Sequence, residues 1–344
     1  MHAYISEALA AFDLEASRCI IERIGTGHIN QTYRVDAKSG SFVLQGINTA
    51  VFRQPALIEQ NMVKAAEYLK AHSPDYLFLA PLPTRHGAWS VTIDHRPWRL
   101  FPFLQNTFTI DRAETAEQAH EAAAGFARLT RLLHGAPVEQ FQPTIERFHD
   151  LTWRYQQFEQ ELDSADAARK DQAREVIEIA IAHRYLVERY QYLIGTKVLT
   201  LGVFHNDTKI NNILFDTSGK TKAVIDLDTL MPGYFVYDLG DLLRTLVSPV
   251  TEEEADLTKI DFRPQFYEAV LDGYLSEMSV CLRAEEVRQC HLAGPVMTYI
   301  MALRFLADFL RGDTYYHTTY PGQNLVRARN QLMLLQLFLA QQPA

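Results

Sequence analysis

His205, Asp207 and Asn212 stand as H-x-D-x-x-x-x-N within Phe-His-Asn-Asp-Thr-Lys-Ile-Asn-Asn, and Asp226 follows fourteen residues after Asn212. A carboxylate at Asp207 can accept the proton of an attacking hydroxyl. An amide oxygen at Asn212 and a carboxylate at Asp226 are hard oxygen donors suited to magnesium. One base and two magnesium ligands are what phosphoryl transfer asks of a protein, since the work there is to orient a hydroxyl and neutralise phosphate charge. Lys209, two residues past Asp207, is a cation within reach of a moving phosphoryl group. His205 adds no chemistry that Asp207 lacks and reads as a residue tying down the loop.

These side chains need elements that bring them together. A Ser218-Gly219-Lys220 turn leads into the apolar strand Ala223-Val224-Ile225, so the spacing predicts a hairpin with Asp226 at its strand end. Far upstream, Gly25-Thr26-Gly27 and then Asn30 lie between two alternating stretches, 19–24 and 31–36, with a third strand at 41–48. A glycine pair alone is most often a tight turn, but its placement ahead of the 204–229 segment favours a phosphate loop. Pro55 opens a helix running through Leu69. Short strands are expected around 85–88 and over 90–102. Beyond Asn106 the periodicity turns helical over 113–134, 145–162, 165–193, 237–246, 264–278, 284–310 and 325–340. The expectation is an α+β, bilobal fold: a small antiparallel-sheet lobe over 1–102, a linker at 103–106, and a larger helical lobe over 107–344.

Composition narrows the partners. The 344 residues carry a formal net charge of −9, which argues against a nucleic-acid surface. Cys19, Cys281 and Cys290 are scattered and suggest neither a zinc site nor a disulfide framework. The start lacks a basic end followed by an apolar run. The apolar stretch 297–309 is broken by Arg304 and Asp308 and falls short of the ~20 residues a bilayer span needs. A cytoplasmic protein is expected, without membrane or nucleic-acid partners, and monomeric or at most a weak dimer.

The 204–229 segment resembles the catalytic loop and metal-binding Asp of the protein-kinase-like fold, and more closely the aminoglycoside phosphotransferase and choline kinase superfamily. Within it, several segments resemble the N-acetylhexosamine 1-kinase branch: Gly27-His28-Ile29-Asn30, Phe42-Val43-Leu44-Gln45, His205-Asn206-Asp207-Thr208-Lys209, 225–233, Tyr237-Asp238-Leu239-Gly240-Asp241 and 305–316. The resemblance spans roughly 18–340, with its specificity concentrated in 204–229. It implies ATP and magnesium, and transfer to the anomeric hydroxyl of N-acetylglucosamine or N-acetylgalactosamine, without choosing between the epimers.

Carried over position by position, the resemblance makes Asp207 the base and Asn212 and Asp226 the magnesium ligands. It places His28, Asp228, Arg244 and Arg304 around the sugar, with Tyr315 or Tyr316 near it, and makes Asp238 a steadying residue for the loop. Gly25, Gly27 and Asn30 would hold the nucleotide, with adenine under 101–104 near Phe103. One position departs from many relatives: a third-strand Lys is replaced by Gln45, an uncharged amide, leaving Lys209 as the cation at the phosphoryl group. The sugar-kinase branch shares that Gln.

Bland alternatives stand beside these. Arg304 on an apolar helix face suggests an ion pair with Asp308 at i+4; Arg244 is in similar standing, and Tyr315 and Tyr316 could be packing aromatics. The competing functions are transfer to an aminoglycoside, choline or another amino alcohol, and nucleotide binding without catalysis. From Leu282 onward there are six arginines, no lysine and four acids. That excess of positive charge disfavours a polycationic acceptor.

Overall fold

A computed structural model describes residues 3–24 and 30–341. Gly25, Gly27 and His28, named above for the nucleotide and the sugar, lie outside the described residues. In chain order the elements are α1 (Ala3–Ala10), β1 (Ile20–Arg23), β2 (Gln31–Ala37), β3 (Gly40–Gly46), α2 (Pro55–His72), β4 (Val91–Ile93), β5 (Arg96–Pro102), β6 (Thr107–Phe108) and α3 (Ala116–Leu132). Then follow α4 (Leu151–Ser164), α5 (Ala167–Gln172), α6 (Arg174–Ala182), α7 (Tyr185–Gly195), β7 (Gly202–Phe204), β8 (Ile213–Asp216), β9 (Thr221–Val224) and β10 (Met231–Gly233). The chain closes with α8 (Phe235–Leu246), α9 (Pro264–Met278), α10 (Ala284–Val287), α11 (Cys290–Arg311) and α12 (Gln323–Ala340). It is an α+β, bilobal protein-kinase-like fold, with a small antiparallel-sheet lobe and a larger helical lobe.

The first compact unit comprises 1–109, 135–146 and 214–231, so the β8–β9 hairpin and the Asp226 turn fall in it rather than with the helices. Its sheet runs β1-β2-β3-β5-β4, and β2, β3 and β5 pair antiparallel with Gln45 opposite Arg99. Val35, Leu44, Trp98 and Leu100 point to one face, where Ile5 and Leu9 of α1 close the core. Gly46 is required there, since a Cβ would lie 2.9 Å from the Trp98 ring. β6 pairs with β8.

The second unit, 110–134, 147–213 and 232–344, is mainly helical. α3 packs on α9, and α11 packs on α4, α8 and α12. α8 and α11 approach closely at Gly240, whose Cβ would stand 2.4 Å from the carbonyl of Ala293. By length and composition α11 could cross a membrane, but 89% of its apolar window is buried inside the molecule.

Several expectations need correction. Residues 85–88 form a turn, not a strand, with Gly87 at φ +81°. Helix 145–162 begins only at Leu151, because Arg147 sits at φ +49° and the Asp150 carboxylate accepts from Trp153 N at 3.2 Å to cap it. The single helix expected over 165–193 is three, α5 to α7, and 284–310 is α10 plus α11. α1 is a helix ahead of the first expected one, which opens at Pro55.

Candidate active site

In the second unit the chain leaves β7 and turns sharply at Asn206, φ +64°. The turn is held from below by Asp238 in the first turn of α8. Its carboxylate accepts from His205 N at 3.1 Å and Asn206 N at 2.7 Å, and its carbonyl accepts from Thr208 Oγ1 at 2.7 Å. Burial pushes the Asp238 carboxyl up to about 7, against the pull of those backbone donors. His149 donates from Nε2 to the Asn206 carbonyl at 2.8 Å. Burial, and next the charge of Arg304, push that imidazole down to about 3, so it stays neutral and fit to donate from one nitrogen. His205 is buried edge-on against Phe126, its Nδ1 accepting from Asp207 N at 3.2 Å.

On this platform Asp207, Lys209 and Asn212 come together. Lys209 Nζ lies 3.2 Å from Asp207 Oδ1. The Asn212 amide donates to the Asp207 carbonyl at 2.9 Å and reaches its Oδ2 at 3.5 Å. This uses the NH₂ of Asn212 and leaves its carbonyl oxygen, a hard donor, without a hydrogen bond among the described residues. Asp207 holds the Lys209 ammonium well above its usual range, so the cation persists across physiological pH. Lys209 is half exposed, and the pair therefore contributes little to stability.

Arg244 and Arg304 differ. Arg244 is buried, with Nη2 2.7 Å from Asp241 and Nη1 2.6 Å from Glu252. Arg304 makes no ion pair among the described residues. Its guanidinium lies 4.8 Å from the Phe148 ring centre and 5.5 Å from that of Tyr316. The expected Arg304–Asp308 pair does not form, because the Asp308 carboxylate is filled by backbone N–H groups of Thr314, Tyr315 and Tyr316. Tyr315 is 53% exposed.

In the first unit Asn30, Gln45 and Asp228 come together around a residue the sequence reading missed, Arg99. Its Nε donates to Gln45 Oε1 at 3.0 Å, and its Nη2 bonds both Gln45 Oε1 and Asp228 Oδ1. Asn30 Nδ2 donates to Asp228 Oδ2 at 2.8 Å, and Asn30 Oδ1 accepts from Asn48 N. Arg99 is 4% exposed and Asp228 2%. The positive charge beside the third strand is thus on the neighbouring strand, opposite Gln45. Both Asp228 oxygens are engaged inside this unit. Asp226 is exposed and left-handed at φ +57°. Phe103 is stacked by the Arg34 guanidinium at 4.4 Å.

Among the described residues no three His, Cys, Asp or Glu side chains cluster as a metal site. A magnesium ion carried by nucleotide phosphates needs only one or two protein oxygens; the Asn212 carbonyl in the second unit has that chemistry, and so, taken by itself, does the exposed Asp226 carboxylate in the first.

Fold and loop together define a kinase-fold phosphotransferase. Residues 20–283 match the phosphotransferase enzyme family designated APH, and the chain belongs to that family. Among solved structures it is similar to a microcompartment-associated aminopropanol kinase, at 19% identity over 98% of this chain and 97% of that one, TM-score 0.64. It is similar to a spectinomycin phosphotransferase in complex with ADP and spectinomycin, at 12% identity over 96% and 95%, TM-score 0.59. A choline kinase from Streptococcus pneumoniae matches at 13% identity over 93% and 94%, TM-score 0.55. At such identities these structures speak for the fold alone.

Proposed function

We propose that this phosphotransferase moves the γ-phosphoryl group of ATP to the anomeric hydroxyl of an N-acetylhexosamine, giving the sugar 1-phosphate. The observation carrying the reading is the Asp207–Lys209–Asn212 cluster on a loop braced by Asp238 and His149. Asp207 accepts or orients the C1 hydroxyl proton, and Lys209 stabilises negative charge on the transferred group. Asn212 and Asp226 would hold magnesium, which neutralises the triphosphate when bound. Asn30 and the preceding glycines, with Gln45, serve the nucleotide side, and Phe103 the adenine.

Arg304 and Tyr315, with His28, form the acceptor side of this reading. Asp228 and Arg244 spend their charged atoms on partners within their own units, so their part is to position neighbours. An arginine without a carboxylate partner suits hydroxyl and carbonyl oxygens and repels an ammonium. That favours a sugar over choline, ethanolamine or an aminoglycoside. The test is a coupled ADP-release screen over free hexoses, 2-acetamido sugars, amino alcohols and kanamycin. Selective turnover with 2-acetamido sugars supports the reading, and selective turnover with an amino alcohol or kanamycin replaces it.

A further inference from the structure

Asp308 is the least expected carboxylate in the helical unit. It is 3% exposed and makes no ion pair among the described residues, though its charge is felt by Arg311. Instead Oδ1 accepts from Thr314 N at 3.1 Å and Tyr315 N at 2.8 Å, and Oδ2 from Tyr316 N and Asn324 Nδ2, both at 2.9 Å. Three successive backbone N–H groups converging on one carboxylate form a concave nest, which satisfies the buried oxygens by hydrogen bonds. The helix end feeds this nest: Gly312 at φ +110° and Asp313 at φ +60° reverse the chain after α11. A second layer fixes the first. The Asn324 amide also reaches Asp313 Oδ1 at 2.9 Å, and Asp313 Oδ2 pairs with Arg169 at 2.9 Å.

Two consequences bear on one spot. The segment 314–316 is fixed so that the Tyr316 ring packs 4.7 Å from Phe305 and lies beside Arg304, with Tyr315 at the surface. Asp308 is also saturated, so Arg304, one helical turn away, has no carboxylate partner among the described residues, its Nη1 donating to Met301 Sδ at 3.4 Å.

We propose that Asp308 is a positioning residue for the acceptor: it holds the Tyr315–Tyr316 segment against Arg304 and, by filling itself with backbone donors, leaves that guanidinium for an oxygen of the incoming substrate. This rests on the acceptor reading above. In an Asp308→Asn protein an amide NH₂ faces N–H donors, the nest opens, and Arg304 loses its frame. Asn324→Leu removes one donor of four and gives a second, milder route should Asp308→Asn fold poorly.

The experiment is steady-state kinetics of the full chain with ATP and N-acetylglucosamine, alongside hydrogen–deuterium exchange over 313–317. The acceptor KM should rise about ten-fold in Asp308→Asn, on the scale of one charge-assisted contact, while the KM for ATP moves less than about two-fold. Asn324→Leu should shift the acceptor KM in the same direction by less, and amide exchange in 313–317 should accelerate in both. Faster exchange with an unchanged acceptor KM overturns the inference, as do equal losses for both substrates. A wild type that phosphorylates no sugar overturns the functional reading, and this inference with it; a wild type that phosphorylates the sugar while the variants keep its KM overturns this inference alone.

Discussion

Replacing Arg99 with methionine should strongly destabilise the first unit. The guanidinium is buried, and it bonds Gln45 Oε1 and one oxygen of an equally buried Asp228. Methionine keeps much of the volume beside Met62 but removes the charge and every donor. Among the described residues Asp228 then retains Asn30 alone, on its other oxygen. Breaking a buried pair from one side costs about 3–5 kcal/mol, because the surviving charge stays desolvated. Solvent does not discount this figure, since neither partner is exposed. The assay is urea unfolding of the full chain, read by hydrogen–deuterium exchange in peptides from β2, β3 and β5 so that the loss is assigned to this unit. Arg99→Met paired with Asp228→Asn removes both charges and should recover more than about half of the loss. A loss below about 1 kcal/mol, the range of exposed pairs, would refute the argument that this cluster is dry and organises the sheet. So would a double variant as damaged as the sum of the singles.

Three further outcomes follow from the helical unit. Asp207→Asn should lower kcat by about 10²–10⁴-fold while nucleotide affinity, measured by calorimetry, changes little; equal losses in both would show that Asp207 is not the base. Asp238 has a folded-state pKa of about 7, above its unfolded value, so it favours folding at low pH and that contribution is lost as pH rises through 7. Across roughly pH 4 to 7 unfolding free energy should fall with pH by up to ~1.4 kcal/mol per unit from this group, and Asp238→Asn should flatten the slope; an unchanged profile would contradict the assignment. Gly240→Ala drives a methyl into the Ala293 carbonyl at 2.4 Å and should cost about 1–3 kcal/mol or force α8 from α11. An unaltered melting temperature would show that the two helices are not locked there.

What the sequence disclosed was governed by range. The grouping of Asp207, Lys209 and Asn212 was legible because they lie within eight residues of His205 and the turn between them obeys local rules: Asn206 tolerates positive φ, and Asp238 reaches the loop from the first turn of the next helix. Arg99 was not legible. Its role arises from the β3–β5 register that sets it opposite Gln45, fifty-four positions away in the chain, and nothing local marks it. The resemblance sets Asp228 beside the sugar, yet Arg99 and Asn30 settle where its oxygens go. Arg304 and Asp308 have the spacing of an i, i+4 pair, and backbone donors outcompeted the guanidinium. The four residues 85–88 are too short a stretch to distinguish a strand from a turn, and Gly87 at positive φ decides it.

The central claim is a bond between phosphorus and the anomeric oxygen of a sugar. Incubation of the full chain with ATP, magnesium and N-acetylglucosamine, followed by ³¹P NMR, observes that bond. The account predicts a new phosphomonoester signal coupled to the anomeric proton, absent with Asp207→Asn. A signal coupled instead to the C6 methylene protons, or ATP consumed with no phosphorylated sugar formed, would contradict it.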